Sequence, residues 1–248
     1  MFENFLNPIF NPLLALPMIW VVVIMALFIT LVITLIYKFT TNQNLMKELK
    51  NEMKELQKET KELKSQPAKM MEVQKRAMQT NMKYMSHSMR STLFTFIPII
   101  LIFGWMNSHL AYNPIMPQQE FTTTLSLYDG VRGNIELIVP EGITISGESN
   151  KTIESNEVKW VLKGEEGEYL LEYKIDGKSY TRDLLITKDQ SYAAPIKIVK
   201  DKTVMQISID NEKLKVLNLF GWKLGWLGTY IILSIIFSSI LRKVFKVY

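Results

Sequence analysis

The chain has 248 residues, 48% of them apolar, with a formal net charge of +5 and no cysteine. The missing cysteines exclude a disulfide framework, a thiolate metal site and a cysteine nucleophile. The basic excess is modest, and its distribution along the chain argues against a nucleic-acid-binding domain.

From Asn4 to Tyr37 no residue is charged, and "PMIWVVVIMALFITLVITLIY" is almost wholly apolar. About 20 such residues cross a bilayer's hydrocarbon core. The stretch reads as a membrane span over 18–38 after a short segment 1–17. It does not read as a cleavable signal, because Glu3 stands where a basic region belongs and the apolar run is too long.

Residues 39–90 carry a surplus of Lys and Arg over Asp and Glu and read as a helical hairpin. In the first arm Met46, Leu49, Met53, Leu56, Thr60 and Leu63 recur 3 and 4 apart, a heptad seam among alternating Lys and Glu. Gln66-Pro67 ends that arm, because proline disfavours helix at the residue before it. The return arm carries the stripe Met71, Gln74, Met78, Met82 (or Asn81), Met85 and Met89, again 3 and 4 apart. The two arms are expected to pack antiparallel as a coiled coil. Methionine is a weak choice for a seam that needs only stability. It is flexible and polarizable, and promiscuous binding surfaces use it for that reason. The stripe is therefore either a seam or a surface for varied apolar segments.

The second span, 91–112, centres on "LFTFIPIILIFGWM", with Pro98 expected to kink it. Residues 113–218 then change character. Short alternating runs such as "FTTTLSLYD", "NEVKWVLK", "GEYLLEYKI", "TVMQISID" and "EKLKVL" are separated by Gly, Asn or Asp. They predict an all-β, sandwich-like domain. Asp176–Lys178 is a hairpin turn, and Tyr169 stands where a tyrosine corner would place it, with Leu171 at the position of a cysteine. Asn150-Lys151-Thr152 is a sequon. A third uncharged run, within 219–241, is the last span, and 242–248 is a basic tail.

Lys38, Arg90, Arg242 and Lys243 flank the spans on one side, which the positive-inside rule places in the cytosol. The expectation is a three-span plasma-membrane protein. Its N-terminus and β domain lie outside, and its hairpin and C-terminus inside.

No catalytic constellation, phosphate loop or metal cluster stands out, so no enzyme and no cofactor are expected. The spans do hold hydroxyls at helical spacing. Thr30, Thr34 and Tyr37 share one face of the first, Thr92 and Thr95 sit at the inner end of the second, and Ser234, Ser238 and Arg242 follow i, i+4, i+8 on the third beside Ser239. Such hydroxyls either glue helices together or line a wet groove with Arg90 and Arg242 at its mouth.

The basic Met-rich hairpin, the span "FIPIILIFGWM" and, most specifically, Leu224–Lys243, "LGWLGTYIILSIIFSSILRK", together resemble the archaeal YidC/Oxa-type insertases. These are relatives of the insertase subunit of the endoplasmic-reticulum membrane complex. The resemblance covers roughly 18–112 and 219–245 and leaves the β domain out. It implies an insertase that takes nascent membrane proteins on the methionine stripe and passes them through the groove into the lipid bilayer. The lysines of the first arm either dock a translating ribosome through phosphate contacts with ribosomal RNA, form a solvated face or bind anionic lipid head groups, and the identity of any partner membrane subunit stays open. Bacterial members carry an arginine inside the groove, whereas no arginine lies deep in a span here. The competing readings are a surface receptor or adhesion protein with a ligand-binding β-sandwich, and an oligomeric ion channel.

Overall fold

The computed structural model describes residues 3–247. They form two compact units, one made of the residues up to Trp105 together with those from Val216 onward, the other of Met106–Lys215.

The first unit begins with α1, Glu3–Phe10, and a turn of 3-10 helix, Asn11–Ala15. The segment read as a short tail is therefore helical. Leu6 and Phe10 are buried. The Phe10 ring lies 5.1 Å from Trp105 and 5.8 Å from Phe28, and Trp105 Nε1 donates to Asn7 Oδ1 at 3.1 Å. Helix α2 spans Met18–Thr40 and α3 spans Gln43–Glu62. Asn42 separates them, and its Oδ1 accepts from the N–H groups of Asn44 and Leu45, satisfying two orphan donors of α3. A 3-10 turn, Leu63–Ser65, and Gln66 lead to Pro67, which opens α4. Proline suits a first helical position because its missing N–H would have had no partner there. Helix α4 runs without interruption from Pro67 to Leu110, through Pro98. Its 44 residues rise about 66 Å, enough for the return arm and the second span together.

The row of buried residues on α3 is the one its sequence announces. Met46, Leu49 and Leu56 are buried, and Met53, Thr60 and Leu63 are half-buried. On α4 the outcome differs. The inward row is Met70, Val73, Ala77, Thr80 and Tyr84, spaced 3-4-3-4, with Val73 and Thr80 fully buried. Thr80 Oγ1 donates to Glu52 Oε1 at 3.1 Å, and these residues lie equally far along the chain on either side of Gln66, so the arms run antiparallel. Met71, Met78, Met82, Met85 and Met89 lie off this row, between 59% and 68% exposed. The methionine stripe is not a seam within this chain.

The second unit is built from nine strands after α4. They are β1 Phe121–Leu127, β2 Asn134–Ile138, β3 Ile143–Ser146, β4 Asn150–Thr152, β5 Glu157–Gly164, β6 Gly167–Ile175, β7 Lys178–Ile186, β8 Ile196–Ile198 and β9 Val204–Ile209. They form two sheets, ordered β3-β5-β1-β9-β8 and β4-β2-β6-β7, with every strand pair antiparallel. Leu125, Trp160, Leu162 and Ile207 from one sheet and Leu137, Leu171, Tyr173 and Ile186 from the other share a single core. Alternation is clean on β5, where Val158, Trp160 and Leu162 point inward. Strands β3 and β4 are too short and polar to stand out in the sequence. "EKLKVL" forms no strand of its own, and there the backbone pairs with the end of α4 through Leu214 N–H to Ala111 O at 3.0 Å.

Asp176 and Gly177 both have positive φ (46° and 77°) and join paired Ile175 and Lys178, as the two-residue hairpin turn requires. Tyr169 OH donates to the Glu165 carbonyl at 3.2 Å, the upstream backbone bond of a tyrosine corner. A Cβ on Gly142 would lie 2.8 Å from that hydroxyl oxygen, so the glycine makes room for the corner. Asn150 of the sequon is exposed at the start of β4.

Arg182 is only 3% exposed, and its Nε and Nη2 find no partner. Tyr173, hydrogen-bonded to Thr123, is pushed up to about 12 by burial, against the opposing influence of that bond and of the Arg182 charge.

Two outcomes follow from this packing. Leu56→Ala leaves a void in the seam and costs about 2–4 kcal/mol, while Met82→Ala stays within about 0.5 kcal/mol; hydrogen exchange of the α3 amides reads both. Tyr173 is neutral in the folded state at pH values where the unfolded phenol ionises. The stability it contributes is complete below pH 10 and is lost as pH rises toward 12, by up to about 2–3 kcal/mol. Melts of the wild type and of Tyr173→Phe, followed by circular dichroism of the β unit, should differ by a constant offset below pH 10, from the lost bond to Thr123, and the offset should change only in that window.

Candidate functional site

Past the β unit the chain forms a small hairpin, β10 Leu217–Leu219 and β11 Trp222–Leu224, and then α5, Trp226–Val244. The span read as starting at 219 thus starts at Trp226, with Gly225 at its N-cap. Helices α2, α4 and α5 are each long and apolar enough to cross a membrane. Helix α5 packs along α2, and the Phe103 ring of α4 stands edge-on to Trp226 and Tyr230 at 5.7 and 4.9 Å.

Between α2 and α5 the packing opens into a cavity of about 480 Å³. Helix α2 contributes Thr30, Ile33, Thr34 and Tyr37, and α5 contributes Tyr230, Ser234, Ile235, Ser238, Ser239 and Arg242. The volume has room for on the order of ten water molecules. One face carries Thr at i and i+4, the other Ser at i and i+4, so two hydroxyl rows confront each other.

Four of the cavity hydroxyls bond to their own helices. Thr30 Oγ1 donates to the Ala26 carbonyl at 2.6 Å and Thr34 Oγ1 to the Thr30 carbonyl at 2.7 Å. Ser234 Oγ donates to the Ile231 carbonyl and Ser239 Oγ to the Ile235 carbonyl, both at 2.9 Å. None of these four bonds crosses between helices. Each oxygen keeps accepting capacity toward the cavity, so the walls are polar without holding the helices together.

Arg242 lines one end. Its guanidinium carbon lies 5.4 Å from the Tyr37 ring centroid, a cation–π arrangement, and Lys38 Nζ lies 5.6 Å from that of Phe245. Below Arg242 the chain turns back. Lys246 has φ 52°, its N–H reaches Lys243 O at 3.4 Å, and the Val247 N–H reaches Arg242 O at 2.9 Å. These are the two hydrogen bonds of a Schellman cap, whose apolar residue after the left-handed position is buried. Val247 is that residue, and it lines the cavity. No carboxylate is among the lining residues, so the field at this end is positive.

Thr30, Thr34, Ser234, Ser238, Ser239 and Arg242 therefore come together as the sequence spacing implies, with Tyr37. Thr95 and Arg90 do not join them. Thr95 is buried and donates to the Thr92 carbonyl at 2.9 Å, while Arg90 is exposed. Ile33, Tyr230, Ile235 and Val247 complete the lining and carried no signal, since apolar or aromatic residues in a span are unremarked. Further along α4, the exposed methionines continue into exposed Leu93, Phe94, Phe96 and Ile97, giving one apolar strip from the hairpin into the span.

Residues 3–133 match the family model described as integral membrane protein EMC3/TMCO1-like, slightly more than half of the chain. The chain belongs to this family. The family lies within the Oxa1/YidC/Alb3 insertase superfamily and is linked to membrane protein insertion. No curated protein and no solved structure matches. In this EMC3/TMCO1-like protein the match takes in α1, α2, the helical hairpin, α4 and β1. The stretch 224–243, on which the resemblance leaned most, lies outside it. Half of the cavity wall is thus supplied by α5, beyond the matched segment.

Because four of these five hydroxyls bond within their own helices and none bonds across to the other, replacing Thr30 and Thr34 by Val and Ser234, Ser238 and Ser239 by Ala costs little stability. We expect less per site than the about 0.6 kcal/mol typical of bonds between membrane helices, read as an almost unchanged melting temperature in detergent. Single cysteines at Ser234 and Ser238 should react with a water-soluble maleimide in membranes, whereas a cysteine at Ile231, exposed on α5 and outside the cavity lining, should resist.

Proposed function

We propose that this protein is a membrane protein insertase. It receives nascent hydrophobic segments on the Met-rich strip of α4 and passes them along the polar cavity between α2 and α5 into the bilayer. The observation that carries the reading is the cavity. Two membrane helices face each other across hydroxyl rows and a basic end, in a chain whose family is linked to insertion. In hydrocarbon each unsatisfied backbone group costs several kcal/mol. A hydrated slot reaching partway into the bilayer shortens the dry path of a client's polar tail, while the apolar segment slides sideways into lipid.

In this reading α3 and the first half of α4 form a cytosolic coiled-coil hairpin, and the β unit lies outside. The cavity opens to the cytosol beside Arg242. The clients are nascent membrane proteins. The lysines of α3, exposed along its length, suit transient phosphate contacts with ribosomal RNA, and a partner membrane subunit would cover part of the apolar surface. The placement of the methionines supports client capture. They are freed from the seam by Val73, Ala77, Thr80 and Tyr84, so holding the hairpin together does not occupy them. The reading assigns the chain no covalent chemistry and no cofactor.

The test is photocrosslinking from Met82 and Ser234 in membranes supplied with ribosomes that carry a stalled membrane-protein client. Both positions should crosslink the client, Met82 at shorter nascent lengths than Ser234. The fivefold hydroxyl variant should insert less well, most of all with clients whose short tails carry charge. Absence of client crosslinks at both positions, with normal insertion by the fivefold variant, would remove the proposal.

A further inference from the structure

The hairpin that leads into α5 contributes no residue to the cavity lining, and its composition does not suit a plain connector. Leu217 pairs with Leu224 and Leu219 with Trp222, leaving Phe220 and Gly221 as the two-residue turn. Phe220 is 100% exposed, Trp222 76% and Leu219 40%. Phe220 also sits at φ 51° and Gly221 at 94°. The first central position of such a turn favours Asn or Gly, and a bulky side chain in the left-handed region is sterically disfavoured. The fold thus gains nothing from phenylalanine there, and among the described residues nothing covers its ring.

Position supplies the partner. One residue, Gly225, separates the hairpin from α5. The 19 residues of α5 rise about 28 Å, close to the roughly 30 Å of a hydrocarbon core, so Trp226 lies near the boundary. The tip is three strand residues from Leu224, hence within about 10 Å of that boundary. The hairpin belongs to the same compact unit as α5. Trp222 and Lys223 are consecutive on β11, so their side chains leave opposite faces of the ribbon. No carboxylate occurs between Lys213 and Arg242, so nothing on the hairpin repels lipid phosphate. Aromatic rings beside a basic side chain are the chemistry of the headgroup–acyl boundary.

We propose that the β10–β11 hairpin is a membrane-interface anchor, with Phe220 and Trp222 inserted among the lipids around the start of α5 and Lys223 directed to their phosphates. It fixes the depth and rotation of α5, and through α5 one wall of the cavity. The inference does not depend on the insertase reading, since a chain of any function with this span could use it.

The chain has no cysteine, so single labels are available in the full-length protein. Leu219→Cys, labelled with an environment-sensitive fluorophore in phosphatidylcholine vesicles, is compared with Ser179→Cys on exposed β7. A label at Ile231→Cys marks insertion of α5. The label at 219 should emit blue-shifted and lose most of its intensity when the lipids carry bromine on the upper acyl chain, and the label at 179 should do neither. Adding Phe220→Asn, which suits the turn better than phenylalanine, should reverse the blue shift and the quenching at 219 while quenching at 231 persists. The proposal fails if the label at 219 behaves like that at 179, or if Phe220→Asn leaves its quenching unchanged. Crosslinking of 219 between two chains without quenching would also overturn it, in favour of a contact between copies.

Discussion

Hydrocarbon offers a polar group no partner, and the first unit is arranged around that constraint. Inside α2 and α5 every hydroxyl must bond somewhere. The nearest acceptor is the carbonyl three or four residues earlier on the same helix. Thr30, Thr34, Ser234 and Ser239 all take it. Their donors are then satisfied whether or not the other helix is near. The two helices lose the attraction that interhelical bonds would have given them, and a polar gap can persist where apolar side chains would have closed it. The cavity is a consequence of this local choice. Its polarity costs the fold little, because water is needed only for the leftover acceptor capacity.

A second separation runs along α4. Its seam face is built from Val73, Ala77, Thr80 and Tyr84, small or polar-tipped residues that let α3 approach. In the hairpin half of the helix the methionines Met71, Met78, Met82, Met85 and Met89 lie off that face and exposed. An arm whose exposed hydrophobes avoid its own partner has a surface left for something else. Since α4 continues unbroken into a span, that surface and the bilayer are joined by one rigid element. Pro98 does not interrupt it, so in the insertase proposed above a segment held on the methionines would meet no break in the helix on its way to the membrane.

Much of this was legible in the sequence, for different physical reasons. The three spans showed themselves because charge is excluded from hydrocarbon, and the hairpin break because proline restricts the residue before it. Thr30, Thr34, Ser234 and Ser238 were readable because polar residues are conspicuous in apolar helices and i, i+4 spacing fixes their face. The α4 seam was not. Two rows with 3-4 spacing compete there, and apolarity favours the methionines, although packing selected the smaller residues. The start of α5 was misjudged by seven residues because "LNLFGWKLG" is apolar enough to pass for span; the turn at Phe220-Gly221 lacks the Asn that usually announces one. Thr95 and Arg90 matched the right composition but sit on α4, and composition says nothing about which pair of helices encloses a cavity.

The position of charge follows from the same constraint. An arginine deep in a span would have to be neutralised or solvated at considerable cost. Arg242 avoids this by standing in the last turn of α5. There its charge favours the helix C-terminus, its guanidinium rests near the Tyr37 ring, and the Schellman turn brings Val247 beneath the cavity. A single cation at the rim of a hydroxyl-lined slot exerts its field inward through a medium less screening than bulk water. In the insertase proposed above, a client tail carrying negative charge would be attracted at the mouth and would then meet only neutral acceptors, so nothing in the slot would bind it tightly enough to hold it. Weak, graded polarity of this kind favours passage over retention, whereas a buried arginine would add affinity at the point where a tail must let go.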